Sequence, residues 1–193
     1  MGLARRYNEN EVSRLLKKSE DVAVAGAGGR GHSEGLHELQ AVGAGRKSTT
    51  TDDLMERILA EAKAETSAFD GSQVEAVTHA LNTAAGLNAL TILANRSVSD
   101  VMAFIAVGGQ NFKMVRASRK AAGPARPGKL DLYLCQWEPA LVSHVAMKLM
   151  KASADTLHIR TAYPMAAPPK DCTALTSMAR YHPAGGMAQK HEI

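Results

Sequence analysis

In "TLHIRTAYPM", Thr156–Met165, Leu157 and Ile159 alternate with His158 and Arg160, the period of a strand with one apolar face. That face is expected to run on into Thr161 and Tyr163 before Pro164 ends it, so the row finishes in two hydroxyls. Such an ending suits either a solvent edge or the wall of a site. Alternation also marks "LDLYLCQW" as a strand, and in "VMAFIAVGGQNFKMVRAS" two apolar runs flank Gly108-Gly109 as in a hairpin. Helical spacing dominates earlier in the chain. Val12, Leu15 and Leu16 share a face after a cap at Asn8 or Asn10. "STTTDDLMERILAEAKAE" offers Thr50 or Thr51 as a cap and places Asp52 and Asp53 in the first turn, where the helix dipole favours negative charge. Leu54, Ile58 and Leu59 form its stripe, with Arg57 at the margin. Val74, Val77, Ala80 and Leu81 predict a helix from near Ser72, interrupted at Gly86 and resumed in "LNALTILAN". "ALVSHVAMKLMKAS" reads as an amphipathic helix or a long excursion. The glycine-rich "VAVAGAGGRGHSEG" and "AAGPARPGK" read as loops, and the chain after Pro164 as a loosely ordered tail. Helices first and strands afterwards predict an α+β fold, with N-terminal helices packed against a C-terminal antiparallel β-sheet.

Composition adds a few limits. A length of 193 residues suits one domain with appended tails. Apolar residues make up 45% and aromatics 4%, so the core is aliphatic and rich in methionine. No run of about twenty apolar residues is present, so no membrane span is expected. The basic N-terminus is followed by no apolar signal-peptide core. Cys135 and Cys172 make neither a disulfide framework nor metal-ligand spacing. The net charge of +4 is modest, but Val101–Leu130 holds no acidic residue. Lys113, Arg116, Arg119, Lys120, Arg126 and Lys129 all fall there, a segment that would attract a polyanion such as RNA.

Metal chemistry is not expected. His32 and His37, five residues apart, would point about 140° apart on a helix, and no Cys or carboxylate completes a zinc set. His79 and His144 fall within helical patterns as surface or packed residues. A metal-free kit is available in a loop histidine, the helical Arg57 and the Thr161/Tyr163 pair. Histidine titrates nearest neutrality and can act as a general base. Arginine offsets the charge that builds on a phosphorane, and hydroxyls hold its oxygens. Together they would suffice to cleave RNA through its own 2′-OH.

The ordered segments "GGRGHSEGLHELQAVG", "DLMERI", "ETSAFDGSQVEAVTHALN", "LDLYLCQW" and "LHIRTAYP" resemble the RNase A-like toxin domain at the C-terminus of contact-dependent growth inhibition proteins. Gly31-His32 and His37 keep the spacing of that family's paired histidines, although His37-Glu38-Leu39 stands where the family has His-Val-Gly. Leu54–Ile58 matches its Leu-x-x-Arg helix, Ser67-Ala68-Phe69 its step into the next helix, and Thr161-Ala162-Tyr163-Pro164 its ending. The resemblance implies an RNase A-like domain over residues 28–165, preceded by a helix and linker (1–27) and followed by the tail (166–193). It further implies His37 as general base or acid, with His32 as the competitor. Arg57 would clamp the phosphate, and Thr161 and Tyr163 would position it. Lys113, Arg116, Arg119 and Lys120 would attract RNA, tRNA being one candidate. No cofactor is implied. Domains of this family are delivered from a producing bacterium into a neighbour, act in its cytoplasm, and are blocked at home by an immunity protein. Two other readings remain open on the residues alone: a caspase-like cysteine hydrolase with a His32/Cys135 dyad, and a non-catalytic RNA-binding module.

Overall fold

Asn8 starts the first helix by a reciprocal pair of bonds. Its Oδ1 accepts from the Glu11 N–H at 2.9 Å, and the Glu11 carboxylate accepts from the Asn8 N–H at 2.9 Å. The computed structural model describes residues 2–21, 36–39, 49–61, 63–121, 133–153, 155–173, 175–183, 186–187 and 189–193. Four helices lie among them: α1 (Glu9–Asp21), α2 (Thr51–Ala60), α3 (Gln73–Asn82) and α4 (Ala84–Ala94). Thr50 caps α2, its side chain accepting from the Asp53 N–H while Asp53 returns the bond. The break between α3 and α4 falls at Thr83, whose hydroxyl accepts from the Gly86 N–H at 3.0 Å. Gly86 therefore sits in the first turn of α4 rather than between helices. A Cβ there would meet the Ala80 carbonyl oxygen at 2.1 Å, so the close approach of the two helices requires glycine.

The described strands are β1 (Glu38–Leu39), β2 (Glu65–Asp70), β3 (Val98–Ala106), β4 (Lys113–Ala121), β5 (Tyr133–Leu141), β6 (His144–Ser153), β7 (Thr156–Met165), β8 (Met178–Pro183) and β9 (Gln189–Glu192). They form two sheets. One has the order β1-β2-β4-β5, with β1 parallel to β2, and the other is antiparallel with the order β7-β6-β3-β8-β9. The fold is α+β. In the main core, α1, α3 and α4 bury Val12, Leu16, Val77, Leu81, Leu90 and Leu93 against one face of the five-stranded sheet. That face supplies Val101, Ile105, Val145, Met147, Leu149 and Ile159. A smaller core sets Leu54 and Ile58 of α2 on Ala68, Val115 and Ala117 of the four-stranded sheet.

Several expectations are corrected. The strands are not confined to the C-terminal part of the chain, because β1 and β2 precede α3 and "ETSAFD" is a strand. The runs flanking Gly108-Gly109 make no hairpin: β3 pairs with β6 and β8, while β4 pairs with β2 and β5. The turn between them, with Gly109 at φ +88°, carries the chain from one sheet to the other. "HVAMKLMKAS" is a strand, not a helix. His144–Met147 is buried on both faces, and a short run buried on both faces has no alternation to distinguish it from a helix. The segment after Pro164 is not a loose tail, since β8 pairs with β3 and Ala179 enters the main core.

One irregularity matters for the site. On β7, Ile159 lies opposite Leu149 but Thr161 lies opposite Lys148, so Arg160 is an extra residue, a β-bulge. Leu157 and Ile159 face the main core before it, and Ala162 takes over that face after it. Thr161 and Tyr163 thereby point to the opposite side. They do not continue the apolar row, as strict alternation predicts.

Candidate active site

The bulge turns Thr161 and Tyr163 toward a cavity of about 410 Å³, which His37, Arg57, Ser67 and Arg116 also line. Thr161 and Tyr163 share β7, and each of the other four is held by a different stretch of chain. Arg57 lies one helical turn after Leu54 on α2, at the edge of the stripe that Leu54 and Ile58 bury. Thr66 fixes α2 to β2 by donating its hydroxyl to the Leu54 carbonyl at 2.8 Å. The Arg57 Nη2 donates to the Leu36 carbonyl at 2.8 Å, while its Nε, also buried, has no hydrogen-bond partner among the described residues. Burial lowers the Arg57 pKa, yet a guanidinium stays charged near neutrality.

His37 immediately precedes β1, whose pairing with Phe69 and Asp70 brings it beside β2. Its Nδ1 lies 3.2 Å from the Ser67 carbonyl oxygen. A carbonyl only accepts, so Nδ1 carries the proton, and in the neutral form of the ring the lone pair would lie on Nε2. The His37 ring tilts 38° against Tyr163, with centroids 5.3 Å apart. Ser67 also donates its hydroxyl to the Pro164 carbonyl at 2.7 Å. One serine thus joins the histidine to the end of β7. Gln73 on α3 pins the same strand by donating to the Ala162 carbonyl at 3.3 Å. The Thr161 Oγ1 is buried at the cavity without a hydrogen-bond partner among the described residues. Burial pushes the Tyr163 phenol up, opposed by the positive charge of Arg180.

His37, Arg57, Thr161 and Tyr163 therefore line one cavity, whereas His32 lies outside the described residues. The four cations expected to attract RNA do not share one face. Alternation along β4 puts Arg116 and Lys120 on one face, and Lys113 and Arg119 on the face of Val115 and Ala117 that meets α2. Of these, Arg116 lines the cavity, ion-paired with Glu138 directly across on β5. Arg126 and Lys129 fall outside the described residues. Cys135 packs against the small α2 core and does not line the cavity.

No family model, curated protein or solved structure matches the chain.

The other described histidines serve elsewhere. His79 rests against Phe112, with ring centroids 5.7 Å apart. His144 is fully buried: its Nε2–H donates to the Thr176 carbonyl at 2.8 Å and its Nδ1 accepts from the Ser143 hydroxyl at 2.8 Å. His158 is buried on β7, and burial lowers the pKa of both. Among the described residues no three His, Cys, Asp or Glu side chains cluster as a metal site. Two participants escaped the sequence reading. Ser67 lies on a strand rather than at a step into a helix, and "ETSAFD" alternates neither in polarity nor in burial, so no local pattern marks that strand. Glu138, the partner of Arg116, carries no local signal, because the pairing depends on the register of β4 with β5.

Proposed function

We propose that the chain is a metal-independent endoribonuclease that cleaves RNA by attack of the substrate's own 2′-OH. The observation that carries this reading is the meeting of His37, Arg57, Thr161 and Tyr163 in one cavity, contributed by three separate stretches of chain. Their chemistry fits the task. The neutral His37 ring offers Nε2 as base, since Nδ1 is committed to the Ser67 carbonyl. The half-buried Arg57 keeps its charge and has a buried Nε with no hydrogen-bond partner among the described residues, suited to an anionic phosphorane. The Thr161 hydroxyl, without a partner among the described residues, and the Tyr163 phenol add neutral donors. Attack by the 2′-oxygen leaves a 2′,3′-cyclic phosphate and a 5′-hydroxyl, so the reaction calls for neither a protein nucleophile nor a metal-activated water.

The resemblance to the RNase A-like toxins extends the proposal to biology. The domain would be released by a producing bacterium, act on RNA in the cytoplasm of a neighbour, and be held inactive at home by an immunity protein.

The test is incubation of the purified protein with total RNA, with and without EDTA, followed by analysis of the new ends. Cleavage in EDTA leaving 2′,3′-cyclic phosphates, abolished in His37→Ala, is expected. Salt-sensitive binding without cleavage would instead make the chain an RNA-binding module. Inactivation by a thiol alkylator reacting at Cys135 would favour the cysteine hydrolase.

A further inference from the structure

Cleavage through a 2′-OH moves two protons: one leaves the nucleophile and one must reach the departing 5′-oxygen. Among the described cavity residues there is one imidazole, so a second group has to serve the leaving side. Tyr163 is the neutral hydroxyl whose ring lies against that imidazole. Its other side rests on Phe104, Ala146 and Met178, on the face of the five-stranded sheet turned away from the helices.

Arg180 occupies the same face. It lies on β8 opposite Met102, beside the Met178–Phe104 pair. Its guanidinium sits 5.1 Å from the centre of the Phe104 ring. Asp171 holds it there, accepting from Arg180 at 3.1 Å and from Lys190 of β9 at 2.7 Å. The Arg180 Nε is buried and has no hydrogen-bond partner among the described residues. A fixed cation thus shares the apolar floor on which the phenol rests.

We propose that Tyr163 is the general acid of this cleavage and that Arg180 is the positioning residue that steadies the phenolate it becomes. The inference rests on the ribonuclease reading. As His37 takes the 2′-OH proton, the bond from the 2′-oxygen to phosphorus forms. As the bond from phosphorus to the 5′-oxygen breaks, the Tyr163 proton passes to that oxygen. An imidazolium and a phenolate remain, and transfer of one proton from the first to the second through solvent restores both. Burial alone disfavours the phenolate, and the charge of Arg180 opposes that effect. The arginine would therefore act on the leaving-group step and on no other.

The experiment compares two RNA oligonucleotides with one cleavable linkage, one having the natural 5′-oxygen and one a 5′-bridging sulfur, which departs without protonation. On the oxygen substrate, Tyr163→Phe is expected to slow cleavage by on the order of 10²–10⁴. Arg180→Gln is expected to slow it on the order of tenfold, the effect of one partly exposed charge. On the sulfur substrate both variants should approach the wild-type rate. Arg180→Lys keeps the charge and should retain most of the activity on the oxygen substrate. Equal slowing on both substrates would overturn the assignment and leave Tyr163 and Arg180 as structural or binding groups. Failure of the wild type to cleave either substrate would overturn the ribonuclease reading and this assignment with it.

Discussion

The two halves of β7 run through one strand beside one neighbour, yet they bury opposite kinds of side chain. In Thr156–Ile159 the apolar Leu157 and Ile159 enter the main core at 3% and 0% exposure. In Thr161–Met165 the core face is kept by the small Ala162, and Thr161 and Tyr163 turn to the cavity. The difference comes from one residue, Arg160, which shifts the register against β6 between Lys148 and Leu149. A strand can thus stabilise a core along half its length and carry candidate chemistry along the other half. The bulge lets the hydroxyls leave the core face without breaking the hydrogen-bonded ladder on either side.

Insertion of one residue between Lys148 and Leu149 attacks the contrast directly and should have the largest effect. The new residue would stand opposite Arg160 and remove the bulge, so simple alternation would put Thr161 and Tyr163 on the same face as Ile159, burying two hydroxyls in the core. Cleavage should disappear, and the denaturation midpoint should fall. An insertion variant with wild-type rate and stability would mean that the bulge does not place these residues.

Ile159→Ala probes the other half. Emptying a fully buried aliphatic site should cost about 2–5 kcal/mol in a denaturant titration. The cleavage rate per folded molecule should stay the same, and a matching loss of rate would show the two halves to be coupled.

The pH dependence of stability is a smaller effect with a definite sign. Burial depresses the folded-state pKa of His144 and His158 below the ordinary value of 6.5. The unfolded chain therefore takes up protons first as pH falls, and the contribution of the two neutral rings is present above about 6.5 and lost below it. Thermal midpoints should drop between pH 7.5 and 5.5, and His144→Gln should flatten that drop. A midpoint rising over the same interval would contradict the burial of neutral rings.

The smallest effect separates the two faces of β4. Arg116→Ala should weaken RNA binding at low salt, and the loss should shrink as salt rises. Arg119→Ala, on the face that meets α2, should change binding less. Equal losses would mean that both faces of the strand meet RNA.

Local signals carried far in this sequence where the physics is local. The Thr50 cap, the aspartates in the first turn of α2 and the Leu54/Ile58 stripe are set within one or two helical turns, and each was legible. The same was true of the Asn8 cap and of the Val12/Leu16 face of α1. The ending of β7 was legible as a place where hydroxyls accumulate, but its facing was not. A bulge depends on the partner strand, and nothing within "TLHIRTAYP" reveals that Arg160 is the extra residue. Pairing between distant strands was hidden for the same reason. The turn at Gly108-Gly109 has hairpin chemistry, yet β3 and β4 find their partners in different sheets. β8 was overlooked because isolated charges and prolines surround it, although its Met178 and Ala179 are buried. Ser67 shows the limit most clearly, since its role depends on the Pro164 carbonyl 97 residues away.

The most direct test uses one RNA oligonucleotide cleaved at a single position, prepared with either a ribose or a 2′-deoxyribose on the 5′ side of the scissile phosphate. With the nucleophile in the substrate, wild-type protein in EDTA should cut the ribose form to a 2′,3′-cyclic phosphate and leave the deoxy form intact. Cleavage of the deoxy form at the same phosphate, or cleavage that requires added Mg²⁺ or Zn²⁺, would contradict the account.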